Sequence, residues 1–293
     1  MTKYLLAGVD GSPRSTAAAR WAADEAARRG HGLRLVHART WLDDIHADPA
    51  QPTDVRGLTL RMLADAEQEI RRSHPGLEVR TELIGGGEPI EELVGAATGA
   101  ELLVLGSRGL GGFAGLMVGS VGLGVAARCE VPTVLVRADG TDEAEGRGGP
   151  VGREVVLGVD TRAPSDDVID FAFRQAARLG AVLRAVHGWT PPPAWGYAGW
   201  VPPLGEADQF RAIEAELLTE ALATRREKYP DVVLAEDSRI GTGSSTLVDL
   251  SADAALVVVG RRRRPHGAGM RLGPVAHAVL HHAKAPVAVV PHD

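Results

Sequence analysis

The chain is written twice, and that duplication limits what it can fold into. The segment YLLAGVDGSP, Tyr4 to Pro13, returns as VVLGVDTRAP, Val155 to Pro164. Gly8 matches Gly158 and Asp10 matches Asp160, at an offset of 150. LRLVHART from Leu33 returns as LRAVHGWT from Leu183, so His37 matches His187. Later landmarks are 154 apart: Gly106 with Gly260, Gly119 with Gly273, Pro132 with Pro286. A net insertion of four residues separates the two sets. Solenoid repeats run to about 20–50 residues, so a period this long means duplicated domains. With 293 residues, each copy is long enough to build its own core. The expected division is residues 1–138, a linker at 139–152, and residues 153–293. The linker is rich in glycine and acidic residues and has no apolar periodicity.

Each copy alternates strand and helix signals. In the first, Tyr4–Val9 reads as a strand, followed by a helix with Ser12 as N-cap and Pro13 at its first position. Ala18, Trp21, Ala22 and Ala26 fall on one stripe of that helix, and Gly30 ends it. Strands are expected at Leu33–Ala38, Glu78–Ile84, Glu101–Leu105 and Val131–Val136. Helices are expected at Thr59–Arg72, from Pro89 with Glu91 and Glu92 in its first turn, and at Ser120–Arg128. Such alternation implies parallel sheets covered on both faces.

The stretch GSRGLGGFAGLMVGS, Gly106–Ser120, carries the chemistry. It follows the apolar run ELLVLG, which reads as a buried strand. Glycine lets a ligand approach the backbone, so a glycine-rich loop between strand and helix can aim several N–H groups at one anion. Ser120 then opens the next helix, whose N-terminus favours phosphate. A Walker A loop needs Lys before its Ser or Thr, and none lies here. Gly109, Gly111 and Ala114 match the dinucleotide fingerprint only loosely, with no acidic residue closing a second strand. What fits in full is G-x2-G-x9-G-[S/T], at Gly106, Gly109, Gly119 and Ser120.

This spacing resembles the ATP-binding motif of the universal stress protein family, and the resemblance covers nearly the whole chain as two tandem copies. It implies a doubly wound, open, Rossmann-like sheet of five parallel strands in the order 3-2-1-4-5, of the adenine nucleotide alpha hydrolase-like kind. Strands 1 and 4 are then neighbours, and their carboxyl ends form the crevice where open α/β sheets bind ligands. The resemblance implies ATP there, with Asp10 and Ala38 near the adenosine. The candidate site is Gly8, Asp10, Ala38, Gly106, Ser107, Arg108, Gly109, Gly111, Gly112, Gly119, Ser120 and Val121. A carboxylate at Asp10 suits ribose hydroxyls or an adenine edge; the same residue also suits a local turn before Gly11-Ser12. Mg²⁺ could accompany ATP at the Ser120 hydroxyl, though no second acidic ligand stands out near the loop.

The second copy departs from the pattern. Its loop reads GRRRRPHGAGMRLGPV, with Arg263 in place of the second glycine and Pro274 in place of the serine. Arg disfavours positive φ, and Pro removes both a hydroxyl and an N–H. Gly158, Asp160, Gly188, Gly260, Arg261, Arg263, Gly273 and Val275 form a degenerate second site. The run Arg261–Arg264 could hold phosphate by charge, but a solvated basic loop is the favoured reading.

Net charge is −6, which argues against a nucleic-acid surface as the main function. The single cysteine, Cys129, cannot form an internal disulfide and reads as a buried structural residue in a reducing compartment. No basic-then-apolar leader and no membrane span is visible, so the expectation is a cytoplasmic protein without membrane partners. His277 and His281, four apart, read as surface histidines; His37 and His187 read as hydrogen-bonded histidines at strand ends. Neither a nucleophile elbow nor a kinase set is present, so efficient turnover is not supported. The resulting expectation is an ATP-binding stress regulator or sensor, with a homodimer or pseudo-symmetric assembly through the apolar fifth strands. A nucleotide-independent interaction module and a slow nucleotide-hydrolysing enzyme are the alternatives.

Overall fold

The computed structural model describes residues 3–39, 55–108, 118–137, 154–191, 205–263 and 272–293. The chain divides into two compact units, Met1–Ala144 and Glu145–Asp293.

The first unit runs β1 (Tyr4–Gly8), α1 (Pro13–Arg29), β2 (Gly32–Arg39), α2 (Val55–Ser73), β3 (Val79–Gly85), α3 (Pro89–Ala96), β4 (Leu102–Gly106), α4 (Ser120–Arg128) and β5 (Thr133–Val136). Its strands are parallel and ordered β3-β2-β1-β4-β5, the order that the resemblance implied. The central strands are apolar without alternation because helices cover both faces. Leu5, Leu6 and Ala7 of β1, like Leu102, Leu103 and Val104 of β4, are fully buried.

Helix α1 is bounded as its sequence dictates. The Ser12 side chain accepts the Ser15 N–H, Pro13 occupies the first turn, and Gly30 closes the helix at φ 64°. Ala18, Ala22 and Ala26 are buried on one stripe, while Trp21 is only half-buried. Glu25, fully buried, is held by Arg29 at 2.6 Å and Arg28 at 3.2 Å. A buried carboxylate needs such partners to stay in the fold. Helix α2 begins at Val55, a turn earlier than the apolar pattern indicates, and β5 begins at Thr133, because Pro132 has no N–H to give a ladder.

The second unit repeats the plan: β6 (Glu154–Gly158), α5 (Asp166–Leu179), β7 (Val182–Trp189), α6 (Glu206–Lys228), β8 (Leu234–Ile240), α7 (Gly243–Leu250), β9 (Ala254–Arg262), α8 (Pro274–His282) and β10 (Val287–His292). Its order is β8-β7-β6-β9-β10, again parallel. One difference bears on function. Strand β4 ends at Gly106, but β9 continues two residues past the matching Gly260, paired with a β10 that continues to His292.

Candidate functional site

In the first unit the crevice lies at the carboxyl ends of β1, β2 and β4. Gly8 ends β1 so tightly that an added Cβ would lie 2.4 Å from Leu105 Cδ2. Asp10 is fixed by a local turn: its Oδ1 accepts the Ser12 N–H at 3.0 Å, and its own N–H donates to Ser15 Oγ at 3.2 Å. The turn therefore orients the carboxylate at the strand end. His37 Nδ1 lies 2.7 Å from the Val9 carbonyl oxygen, an acceptor only, so the proton is on Nδ1. Ala38, half-buried in β2, pairs with Ile84 of β3.

Gly106 lies where β4 meets the start of α1. A Cβ there would come within 2.9 Å of Arg14 C and Ser15 N, both backbone atoms that cannot swing aside. Ser107 follows, buried; it gives its N–H to the Val136 carbonyl at 2.7 Å, and its own carbonyl accepts the Gly119 N–H at 2.7 Å. That last bond closes the neck of the glycine-rich loop. Ser107 is thus buried with both of its backbone polar groups engaged. Gly119 is the N-cap of α4 with extended φ and ψ, and no side chain caps the helix. Ser120 and Val121, in the first turn, are both exposed, and Arg108 is half-buried. Gly109, Gly111 and Gly112 lie outside the described residues.

The second unit holds a cavity of about 430 Å³ at the equivalent strand ends. Gly158, Asp160, Gly188, Gly260, Gly273 and Val275 line it. Gly188 is required by a close backbone approach: a Cβ there would meet the Gly243 nitrogen at 2.5 Å. The arginine run corrects the sequence expectation of a solvated loop. Since β9 continues past Gly260, period-two alternation sends Arg261 and Arg262 to opposite faces. Arg261 is buried, 4% exposed, and partnered. Arg262 lines the cavity. Arg263 is not among the lining residues; its guanidinium pairs with Asp293 at 3.2 Å and its N–H bonds the His292 carbonyl. So neither Arg261 nor Arg263 faces the cleft, and Arg262, which the motif alignment passed over, does.

Beneath this cavity is a polar cluster. His187 is buried, with Nε2 3.1 Å from Glu214 Oε2 and 3.2 Å from Thr161 Oγ1, and Nδ1 3.3 Å from the Val159 carbonyl. Glu214, also buried, takes Arg162 on its other oxygen. The cluster ties the β6–α5 turn, the end of β7 and α6 together. Glu214 had a signal in the sequence: it shares the buried stripe of α6 with Leu218 and Leu222, where a charge needs a partner. The first unit has Gly11 and Ser12 at the positions of Thr161 and Arg162, so the same brace cannot form there.

The His277 and His281 ring centroids lie 4.6 Å apart on α8, with the rings tilted by 39°. Among the described residues no three His, Cys, Asp or Glu are grouped to hold a metal ion. Cys129 is buried. No described helix is long and apolar enough to cross a membrane.

Two α/β units, each a five-stranded parallel sheet with its first and fourth strands adjacent, define a tandem doubly wound protein. The sequence model of the universal stress protein family matches residues 1–137 and 152–291, and the chain belongs to that family. Universal stress protein Rv2005c of Mycobacterium tuberculosis is similar to it, 33% identical over 97% of this chain and 96% of its own length. Among solved structures, a universal stress protein from Archaeoglobus fulgidus covers 100% of both chains with a TM-score of 0.63 at 16% identity, a likeness of fold. A universal stress protein solved in complex with cAMP matches 48% of this chain at 25% identity, with a TM-score of 0.36.

Proposed function

We propose that the chain binds ATP in its N-terminal unit and acts as a stress-response sensor or regulator. What carries the reading is the G-x2-G-x9-G-S spacing together with the loop neck. The Gly119 N–H tied to the Ser107 carbonyl brings the two ends of that segment together between β4 and α4. Backbone N–H groups of that loop and the uncapped first turn of α4 would take the phosphates. The Ser120 hydroxyl would touch a terminal phosphate or its Mg²⁺. Asp10, oriented by its turn, would accept hydroxyl protons from the ribose, with Ala38 beside the base. Ligand contacts along the loop would alter the surface it presents to a protein partner, so occupancy becomes a signal.

Nucleotide released from the purified full-length protein by denaturation, and read by mass spectrometry, tests this directly. ATP recovered from the wild type and lost from Gly109→Arg supports it. A wild-type protein that copurifies with no nucleotide and shows no heat on ATP titration overturns it and favours a nucleotide-independent module.

A further inference from the structure

Helix α8 carries three histidines, His277, His281 and His282, and two of them share a face. Ala276, Val279 and Leu280 are buried and fix how the helix sits on its sheet. His277 and His281 are four residues apart, about one helical turn, so their side chains emerge next to each other. His277 is exposed and His281 is half-buried. Their ring centroids stand 4.6 Å apart. His282 leaves the helix in another direction, and its ring is 6.2 Å from that of His281. The matching helix of the first unit has Leu123 and Ala127 at the positions of the pair and Arg128 at that of His282. The pair is therefore a feature of the second copy alone. It is also separate from the crevice: neither His277 nor His281 lines the second-unit cavity.

We propose that His277 and His281 form a two-point chelate for a divalent transition-metal ion of the Cu²⁺, Ni²⁺ and Zn²⁺ class. Imidazole nitrogen suits these ions, whereas Mg²⁺ and Ca²⁺ take oxygen ligands. A histidine nitrogen binds such an ion at about 2.0–2.1 Å, which puts the ring centre roughly 3.2 Å from the metal. Two rings around one ion, at ligand angles between square and tetrahedral, then have centres roughly 4.5–5.2 Å apart. The 4.6 Å between these rings lies in that range. The helix has already brought the two rings together, so the second nitrogen binds at little further cost in ordering. His281 has a further interaction with the rest of the protein. An imidazole engaged through one ring nitrogen still offers the other to a metal, and the outer contact fixes its orientation. Among the described residues no third His, Cys, Asp or Glu completes a group with the pair, so water fills the other positions of the ion. The bound ion ties residue 277 to residue 281 and holds the turn between them, which stabilises the folded state. The inference does not depend on nucleotide binding in either unit.

The test uses the full-length protein without a histidine tag, stripped of metal and titrated with Ni²⁺ at neutral pH. Calorimetry should show one equivalent of Ni²⁺ per chain bound more tightly than any other, and no heat with Mg²⁺. His277→Ala and His281→Ala should each weaken that equivalent by about tenfold or more, because each leaves a single nitrogen. His282→Ala should leave it unchanged. Saturating Ni²⁺ should raise the melting temperature of the wild type and of His282→Ala, but not of the other two variants. Ligand nitrogens must be unprotonated, so the affinity should fall in mild acid. Paramagnetic Ni²⁺ should broaden the imidazole proton signals of His277 and His281 before that of His282, a readout on the wild type that needs no folded variant. Wild-type affinity in either the His277→Ala or the His281→Ala protein, equal losses in all three variants, or broadening that begins at another histidine overturns the proposal.

Discussion

The backbone N–H of Gly119 meets the carbonyl of Ser107 at 2.7 Å, so the two ends of the glycine-rich segment are joined before α4 begins. The joint uses backbone atoms only. Changes within the loop, or at the first position of the helix after it, therefore leave the closure intact.

From this follows the first prediction. Gly109→Arg and Ser120→Pro, each copying what the second unit carries, should weaken ATP binding by more than about tenfold while the melting temperature stays close to wild type. Pro is tolerated at the first helical position, as Pro274 demonstrates. Calorimetry paired with thermal melts by circular dichroism checks both halves. Undiminished affinity in either folded variant removes the cradle.

Glycines that are needed for space should separate from those that are not. Gly106→Ala puts a Cβ against the Arg14 and Ser15 backbone and should cost about 1–3 kcal/mol. Gly95, inside α3, has nothing within 4 Å of an added Cβ. Gly95→Ala should stabilise by up to about 1 kcal/mol, the helix preference for alanine. Urea denaturation reads both, and the opposite signs are the point of the comparison.

Removing Glu214 should be far more damaging than removing Arg162. Glu214→Ala leaves the buried His187 Nε2 without its carboxylate and should cost about 3 kcal/mol. The Arg162 side chain is 64% exposed, so Arg162→Ala costs under about 1 kcal/mol. Equal losses in chemical denaturation would mean the brace is a surface contact only.

Acid stability should depend on Asp170. Burial pushes its carboxyl up, but hydrogen bonds from Lys228 and the Tyr229 hydroxyl, with Arg174 beside it, bring it below the ordinary Asp value. A depressed folded pKa means the contribution is complete above the unfolded value, about 3.9, and fades as pH falls through the folded one. Asp170→Asn should thus be destabilised by about 1–2 kcal/mol at neutral pH, with the gap to wild type closing in strong acid. Denaturation curves taken from pH ~7 down to ~2 check it; a constant gap would show that the loss is one of packing.

Stoichiometry should be nearer one ATP than two per chain, since the second cavity lacks the Gly109 and Ser120 equivalents. Two equal sites by calorimetry would mean that side chains had replaced the amides fully.

Much of the fold was legible because its signals are local. Ser12, Pro13 and Gly30 bound α1 through bonds within a few residues, and Ser120–Arg128 begins and ends where its sequence indicates. The strand order came by resemblance, since periodicity carries no information on which strands are neighbours. What could not be read was set by distant partners. Arg261 and Arg262 look like loop residues until β10 continues to His292 and pairs with them. His187 looked like an ordinary hydrogen-bonded histidine; its carboxylate partner comes from a helix 27 residues away. The Asp10 turn was one of two readings, and the observed turn is compatible with the ligand role.

The two added pairs at the end of β9 and β10 show how a duplicated protein can diverge without reshaping its frame. A strand presents alternate residues to opposite sides, so Arg262, two residues past Gly260, faces the same side as Gly260. A single-residue slip here would carry Arg262 into the interior and bring Arg261 out. Selection acting on this copy thus needs no new cleft, loop or helix to try a different ligand: parity at a strand tip decides which charge a visitor meets.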